Sequence, residues 1–341
     1  MSNKIVSVIV PTAGTKDYIY SCLSSLGEQS CASLEILVID NSPGRNIRQK
    51  IGDNHPGVRV YSTSRNLSYC ESVNKGIEIS GGDFILCLND DTVLEAEFIM
   101  QALKGFEVDT CIGMVSGKIL RRDGRTIDSA GLFLSIFRSA VERGYGLPDK
   151  GQFDKEGYIF GASGAAAFYR REMLEEVKIG PDYFDSGHSF FYEDLDIAWR
   201  AQNVGWKGYY IPKAVAYHAR GASVRGGRGM GRPYARRYLS DELYFDLLKN
   251  RYLAIIKNES IPGLLMHMPF IALYDICAWA CVLFSRPLLI KRFFLNLNYL
   301  KSAMRKRKIT RCYCYPSVKR YSPGNPENKK YLTRPRCCDK K

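Results

Sequence analysis

Four short apolar runs rich in Val and Ile, Ile5–Val10, Leu34–Ile39, Val58–Tyr61 and Phe84–Leu88, read as buried strands. Helical patterns accompany them at Asp17–Glu28, Ile47–Ile51, Cys70–Ile79 and Glu95–Phe106. Strand and helix alternating at this spacing restrict the chain to an α/β class, a parallel sheet covered by helices on both faces. Such sheets take ligands in the crevice outside the carboxyl ends of their strands. The residues directly after each run are therefore the ones to read for chemistry.

Pro11 and Thr12 follow the first run, and Asp40, Asn41 and Ser42 the second. Ser64, Arg65 and Asn66 follow the third, and Asn89, Asp90, Asp91 and Thr92 the fourth. A single Asp at a strand end often only caps a turn or a helix start. Four polar strand ends on one rim point instead to a bound polar ligand.

The middle of the chain is less regular. Ile112–Leu120 and Thr126–Ser135 read as strands, and Arg138–Gly157 as a loop bearing Gly and charge. The small residues from Gly161 through Gly164 to Ala167 allow a ligand or a helix to approach the backbone. Then three aromatics, Phe190, Phe191 and Tyr192, run into Glu193, Asp194 and Asp196. A carboxylate against an apolar wall has a raised pKa, and a nearby cation lowers it, so such a group is tunable for proton transfer. A helix follows to about Asn203, then a strand over Trp206–Ile211, then His218. Arg220–Arg237 is too rich in Gly for regular structure and reads as a mobile loop whose Arg residues suit an anion.

Charge divides the chain. Its 341 residues carry a net charge of +14, yet from Arg286 onward there are 17 Lys and Arg against 2 Asp and Glu. The rest holds 32 basic and 33 acidic residues and is nearly neutral. A basic C-terminal segment suits an anionic membrane surface or nucleic acid, and no nucleic-acid-binding module accompanies it, which disfavours the latter. Ahead of it, Leu264–Leu289 is mostly apolar but interrupted by His267, Pro269, Asp275, Arg286 and Pro287. Asp275 is costly inside a bilayer, so the segment reads as lying in the membrane interface with Trp279 as anchor. A buried C-terminal helix pair is the other reading. The block Lys301, Arg305, Lys306, Arg307, Lys308 and Arg311 fits the cytoplasmic leaflet. Met1 leads straight into the first strand with no signal-peptide pattern. The scattered cysteines of the body read as reduced thiols, and those of the tail are too irregular for a standard zinc site. Three regions follow: a catalytic-type domain over 1–240, a membrane-associating helical segment over 241–300, and a basic, disordered tail over 301–341.

The ordered set of motifs resembles the family 2 glycosyltransferases of GT-A fold, in particular a rhamnosyltransferase-like bacterial branch. The matching pieces are Val8 to Thr12, Val38 to Ser42, Arg65 to Leu67 with Asn74 to Ile77, Leu88 to Thr92, Gly161 to Gly164, Tyr192 to Asp196 with Arg200, and His218 with Ser223. The resemblance implies a GT-A sheet flanked by helices with a C-terminal membrane-associating extension. It implies inverting transfer of a sugar, rhamnose as the best guess, from a dTDP- or UDP-linked donor to a saccharide hydroxyl. A lipid-linked acceptor at the inner face of the plasma membrane, in cell-surface polysaccharide synthesis, fits the apolar and basic segments. By the same resemblance Pro11, Thr12, Asp40, Arg65, Asn66, Asn89 and Asp90 would hold the nucleotide sugar. Asp91 and His218 would hold Mg²⁺ or Mn²⁺. Asp194 would be the base, supported by Glu193, with Gly164, Asp196 and Arg200 on the acceptor side. Asn89 stands where the family's acidic motif usually begins with an acid. Gln202 to Trp206 lacks the Arg of the processive members, which implies one sugar per encounter. A sugar nucleotidyltransferase would want a richer phosphate loop than Thr12 to Lys16 provides. A non-catalytic membrane-surface binder remains the other alternative.

Overall fold

The first four apolar runs form β1 (Val6–Thr12), β2 (Leu34–Asp40), β3 (Arg59–Ser62) and β4 (Phe84–Leu88). They are linked through α1 (Tyr18–Gly27), α2 (Ile47–Asn54) and α3 (Tyr69–Ile79). This computed structural model describes residues 5–14, 17–30, 33–42, 47–220 and 239–311. β1 lies parallel to β2 and to β4, and β2 parallel to β3. β1 and β4 are buried on both faces, which is why both faces of their sequence are apolar. β3 ends the sheet and is largely exposed, so the expectation of a buried third strand is corrected to an edge strand.

Beyond β4 come β5 (Thr92–Leu94), α4 (Phe98–Gly105), β6 (Ile112–Arg121), β7 (Ile127–Ser129), β8 (Leu132–Leu134), β9 (Ala140–Glu142), β10 (Gly157–Ile159), β11 (Ala166–Arg170), α5 (Arg171–Glu176), α6 (Glu193–Asn203) and β12 (Lys207–His218). The sheet runs β10-β12-β6-β11-β4-β1-β2-β3, with β5 on β12 and β7 on β6. β11 is antiparallel to both its neighbours, so the sheet is mixed and only its first half is parallel throughout. The strand expected over Thr126–Ser135 divides at Gly131, whose φ of +106° suits glycine. The segment expected to be a loop from Arg138 contains β9.

One apolar layer packs Ile9, Ile85 and Cys87 against Val73 and Ile77 of α3 and Leu195 and Trp199 of α6. The other packs Val8, Val10 and Leu86 against Ile19 and Leu23 of α1 and Phe98 and Ile99 of α4. A capping box at Ser68 and Glu71 starts α3.

Four C-terminal helices follow: α7 (Asp241–Asn258), α8 (Ile261–Ser285), α9 (Leu288–Leu295) and α10 (Asn298–Arg311). Ser240 caps α7 and Ser260 caps α8. The stretch 301–311, expected as disordered tail, is instead the latter part of α10, folded back on α7. Arg307 Nη2 donates to Glu259 O at 2.6 Å and Thr310 Oγ1 to Lys257 O at 3.0 Å. Lys306 pairs with Asp185, so that part of the basic block faces protein. Trp279, expected as an interfacial anchor, donates its indole N–H to Tyr252 at 2.9 Å and packs on Phe293. The glycine-rich loop after Arg220, Ser223 and the tail cysteines lie outside the described residues.

Candidate active site

Parallel pairing brings the strand-end residues to one rim, with Thr12 opposite Asp40 and Asp40 opposite Ser62. Asp40 is buried, and its Oδ1 accepts the Ser42 N–H at 2.9 Å while Oδ2 accepts the Ser62 hydroxyl at 3.3 Å. Thr12 Oγ1 donates to Asp90 Oδ2 at 2.6 Å, tying the end of β1 to the acidic turn after β4. Pro11 sits beside it in β1, and Asn89 is anchored through its N–H to Ala165 O at 3.1 Å. Arg65 and Asn66 are exposed, and Arg65 pairs with Glu71 at 2.7 Å. Arg65 and Thr63 line a groove of about 610 Å³ together with Asn74, Lys75 and Tyr183. A larger groove of about 1460 Å³ lies between α7 and α8, and none of the rim residues lines it.

The last residue of β12, His218, is opposite Thr92 of β5, which carries its ring to Asp91. Nε2 lies 3.2 Å from Asp91 Oδ1, and Nδ1 lies 2.8 Å from Asp128 Oδ2. The other oxygen of Asp128 accepts from Arg220. Burial alone would lower the pKa of His218, but its hydrogen bonds to Asp128 and Asp91 outweigh that and hold it up at about 9. Burial would raise Asp128, yet Arg220 and His218 bring it down to about 2. The donor set fits a divalent cation. Two neighbouring ligands of an octahedral ion lie about 3 Å apart, given metal–oxygen distances of about 2.1 Å. Asp91 and Nε2 are separated by 3.2 Å. Asp128 on Nδ1 orients the imidazole so that Nε2 faces Asp91.

Asp185, His188 and Asp196 also place ligand atoms within 4.8 Å of one another. There, however, Lys257 Nζ contacts both carboxylates and Lys306 a third oxygen, so two ammonium groups already offset both acids. His188, lowered to about 4 by burial and by Lys257, stays neutral beside them. This cluster is an internal ion-pair network.

The acidic stretch opens α6 in an unusual way. Phe191 and Tyr192 both have left-handed backbones, φ of +67° and +66°, a costly conformation for aromatic residues. Asn250 of α7 holds this turn, donating to Phe190 O at 2.6 Å and Phe191 O at 2.9 Å. The turn aims Asp194 at the small-residue loop, where Oδ2 accepts Gly164 N–H at 3.1 Å and Oδ1 accepts Leu195 N–H at 2.7 Å. A Cβ at Gly164 would stand 3.3 Å from Asp194 Oδ2 and 3.5 Å from Glu193 Oε1, which is why a glycine suits this position. Asp194 and Glu193 thus meet Gly164. Asp196 and Arg200 do not join them. Both are buried in the core: Arg200 Nε donates to Asp196 at 3.1 Å and Nη2 to Tyr183 O at 2.7 Å, and Asp196 takes Lys257 at 2.8 Å. Their expected acceptor-side role is corrected to a structural one, Asp196 fixing α6 to α7 and Arg200 fixing α6 to the carbonyls of Val177 and Tyr183.

Two residues of this site, Glu142 and Asp128, had no role in the sequence reading, and Arg220, read there as the start of a mobile anion-binding loop, is bonded to Asp128. Glu142 of β9 accepts from Ser163 Oγ at 3.0 Å and from Ser129. Asp128 and Arg220 join the His218 cluster. The available signal was an acid inside a strand-like run, Ile127-Asp128-Ser129, where a buried carboxylate demands a partner. Burial, then Asp194, pushes Glu142 up to about 7 and Glu193 up to about 8. Burial also raises Asp194, against its two backbone donors.

A pH dependence of stability follows. Glu142 and Glu193 have folded pKa values of about 7 and 8, above the ordinary Glu value of about 4.3, so the folded state holds more protons between those limits. Their contribution is fully present below the unfolded value and is lost as pH rises through 7 and 8. Thermal unfolding in metal-free buffer is expected to show Tm falling by about 5 °C from pH 6 to pH 9, with Glu142→Gln flattening the fall. An equally steep fall in that variant contradicts the assignment.

The model of "Glycosyl transferase family 2" matches residues 7–178. The chain is 27% identical over 230 residues to the "Putative glycosyltransferase EpsH" of Bacillus subtilis, covering 64% of this chain and 62% of that protein. It is 21% identical over 222 residues to the "Poly-beta-1,6-N-acetyl-D-glucosamine synthase" of Staphylococcus aureus, covering 62% of this chain and 49% of that one. The chain therefore spans about half to three fifths of the length of these relatives. In fold it is similar to a mannosyltransferase of Pyrobaculum calidifontis solved with GDP-Man and Mn²⁺, with a TM-score of 0.51 and 17% identity, covering 91% of this chain and 86% of that one. The mixed sheet flanked by helices is a GT-A fold, and by the extent of the family match this chain belongs to glycosyl transferase family 2.

Proposed function

We propose that the protein is an inverting, metal-dependent glycosyltransferase that moves one sugar per encounter from a nucleoside diphosphate donor to a saccharide hydroxyl. The observation that carries this reading is the placement of Arg220. It is bonded to Asp128, which holds His218 and through it Asp91, and its charge opposes the rise that burial gives Asp194. The candidate cation site and the candidate base are thereby parts of one charge network.

In this reading Asp40 accepts the N3–H of a pyrimidine base, while Pro11, Thr12, Arg65 and Asn66 border base and ribose. Asn89 and Asp90 continue the donor side, and Asp91 and His218 hold the cation, Mg²⁺ or Mn²⁺. A bound cation offsets negative charge on the departing diphosphate. Asp194 takes the proton of the acceptor hydroxyl as its oxygen bonds to the anomeric carbon, and the bonding pair to the leaving oxygen goes to the diphosphate. Gly164 and Leu195 hold Asp194 for that transfer, and burial raises its basicity against those donors. Gln202 and Trp206 are committed to Phe160 O and Glu176, consistent with a non-processive enzyme.

The donor best matching the resemblance is dTDP-rhamnose, with UDP-sugars next. The mannosyltransferase with GDP-Man and Mn²⁺ supports a nucleotide-sugar and cation site on this fold, and the Staphylococcus aureus synthase supports a saccharide product. We place the acceptor on a lipid-linked saccharide in cell-surface polysaccharide synthesis, at the anionic inner face of the plasma membrane. The domain reading is a catalytic unit to about 240 and a membrane-associating helical unit after it. The test is release of nucleoside diphosphate from a panel of dTDP-, UDP- and GDP-linked sugars with Mg²⁺ or Mn²⁺. Release stimulated by a saccharide acceptor is expected, and no release from any donor contradicts the proposal.

A further inference from the structure

We infer that α8 is a monotopic, in-plane membrane helix whose outer face sits in an anionic lipid leaflet and that it does not span the bilayer. This deepens, and rests on, the membrane placement proposed above. Residues Leu264, His267, Ile271, Asp275, Ala278, Trp279 and Val282 of α8 recur every three or four positions and form one inward stripe along the whole helix. That stripe is bonded to the rest of the protein at successive turns, to Arg138 near its start and to α7 further along. Arg138 Nη2 donates to His267 Nδ1 at 3.0 Å, Arg251 Nη1 to Asp275 Oδ1 at 2.5 Å, and Trp279 Nε1 to the Tyr252 hydroxyl at 2.9 Å. Val282 is fully buried in a cluster with Phe245 and Leu248 of α7 and Leu289 of α9. Arg251 and Tyr252 belong to α7, the helix whose Asn250 holds the turn before Asp194. A helix fastened at both ends and the middle to a polar domain has no length left to cross a bilayer.

The opposite face is apolar throughout. Leu265, Met266, Leu273, Ile276, Leu283 and Phe284 of α8 are all more than half exposed, from 54% to 86%. On α9, Leu288 and Leu295 are 77% and 72% exposed. A water-soluble surface rarely carries so continuous a patch. The charge beside it selects the partner: from 276 to 311 the chain has nine Lys and Arg and no Asp or Glu. Lys291 stands on α9 between Leu288 and Leu295 on the exposed side, and Lys301, Arg305 and Lys308 are exposed on α10. Apolar surface bordered by cations and free of acids matches an anionic headgroup layer over acyl chains. Asp275 is half-buried on the inner stripe and paired with Arg251, which offsets the charge that made an apolar helix here look costly in lipid.

The experiment is co-sedimentation of the full chain with vesicles of phosphatidylglycerol and phosphatidylethanolamine, and with phosphatidylcholine alone. Strong binding to the first and at least tenfold weaker binding to the second is expected, with the bound protein released by alkaline carbonate. Lys291→Gln is expected to weaken binding about fivefold. Ile276→Glu is expected to weaken it at least tenfold with Tm unchanged, because Ile276 is 68% exposed and faces outward. Leu273→Glu, on the same face, is expected to repeat that result. Retention through carbonate, which marks a spanning helix, overturns the inference. So does a stable dimer that masks this face and binds neither vesicle. Donor turnover in the same preparations is read separately, so loss of vesicle binding and loss of transferase chemistry are distinguishable.

Discussion

Asp194→Asn is expected to lower transfer by about a thousandfold or more while leaving nucleotide-sugar affinity within about threefold. The substitution keeps the size of the side chain, and its one amide oxygen still accepts from one of the two backbone donors, Gly164 or Leu195, at the cost of the other. What it removes is the capacity to take a proton. A saccharide hydroxyl is a weak acid, so without a positioned carboxylate the C–O bond must form while the oxygen still carries its proton. The residues proposed to hold the donor, Asp40, Thr12 and Asp91, come from the ends of β1 and β2 and the turn after β4, elements other than the α6 that carries Asp194. A parallel loss of donor affinity and turnover would mean that Asp194 supports the fold of the site instead of its chemistry. Undiminished turnover would remove it from the mechanism.

Lys257→Ala is expected to cost about 3–5 kcal/mol of stability, a Tm loss of roughly 10 °C. Its ammonium group is fully buried between Asp185 and Asp196, contacting the latter at 2.8 Å. Lys257 and Arg200, opposing the effect of burial, bring Asp196 down to about 2, so the carboxylate is charged in the folded state. Removing Lys257 leaves Asp196 with Arg200 and Asn258, and Asp185 with Lys306 and the Gly187 N–H. A buried carboxylate short of a partner is the costly outcome. Thermal unfolding of Lys257→Ala beside the double variant Lys257→Ala with Asp185→Asn checks this. The double variant is expected to recover part of the loss, and strict additivity would contradict the pairing.

The parallel half of the sheet and its rim were legible because each strand there is buried on both faces and ends in a polar cluster. Asp40, Asp91 and Asp194 could be found from local pattern, since each lies next to an apolar or aromatic run. Asp196 was not placed correctly because its partner Lys257 lies 61 positions away, and nothing in the local pattern distinguishes a base from an ion-pair anchor. Glu142 and Asp128 were missed for a related reason. They sit on three-residue strands too short to show period-two alternation, and their partners, Ser163 and His218, come from distant elements. The same limit applies to α10. Its basic block reads as a solvated tail until Lys306 and Arg307 are seen to fasten it to Asp185 and the end of α7.

The most direct measurement is acceptor-dependent release of nucleoside diphosphate by the wild-type chain, in Mn²⁺ and in chelator, beside Asp91→Asn and Asp194→Asn. The account predicts release that needs both cation and acceptor, falls at least a hundredfold without the cation or with either substitution, and retains donor binding in Asp194→Asn. Release that proceeds equally in chelator, or at the wild-type rate with Asp194→Asn, would contradict it.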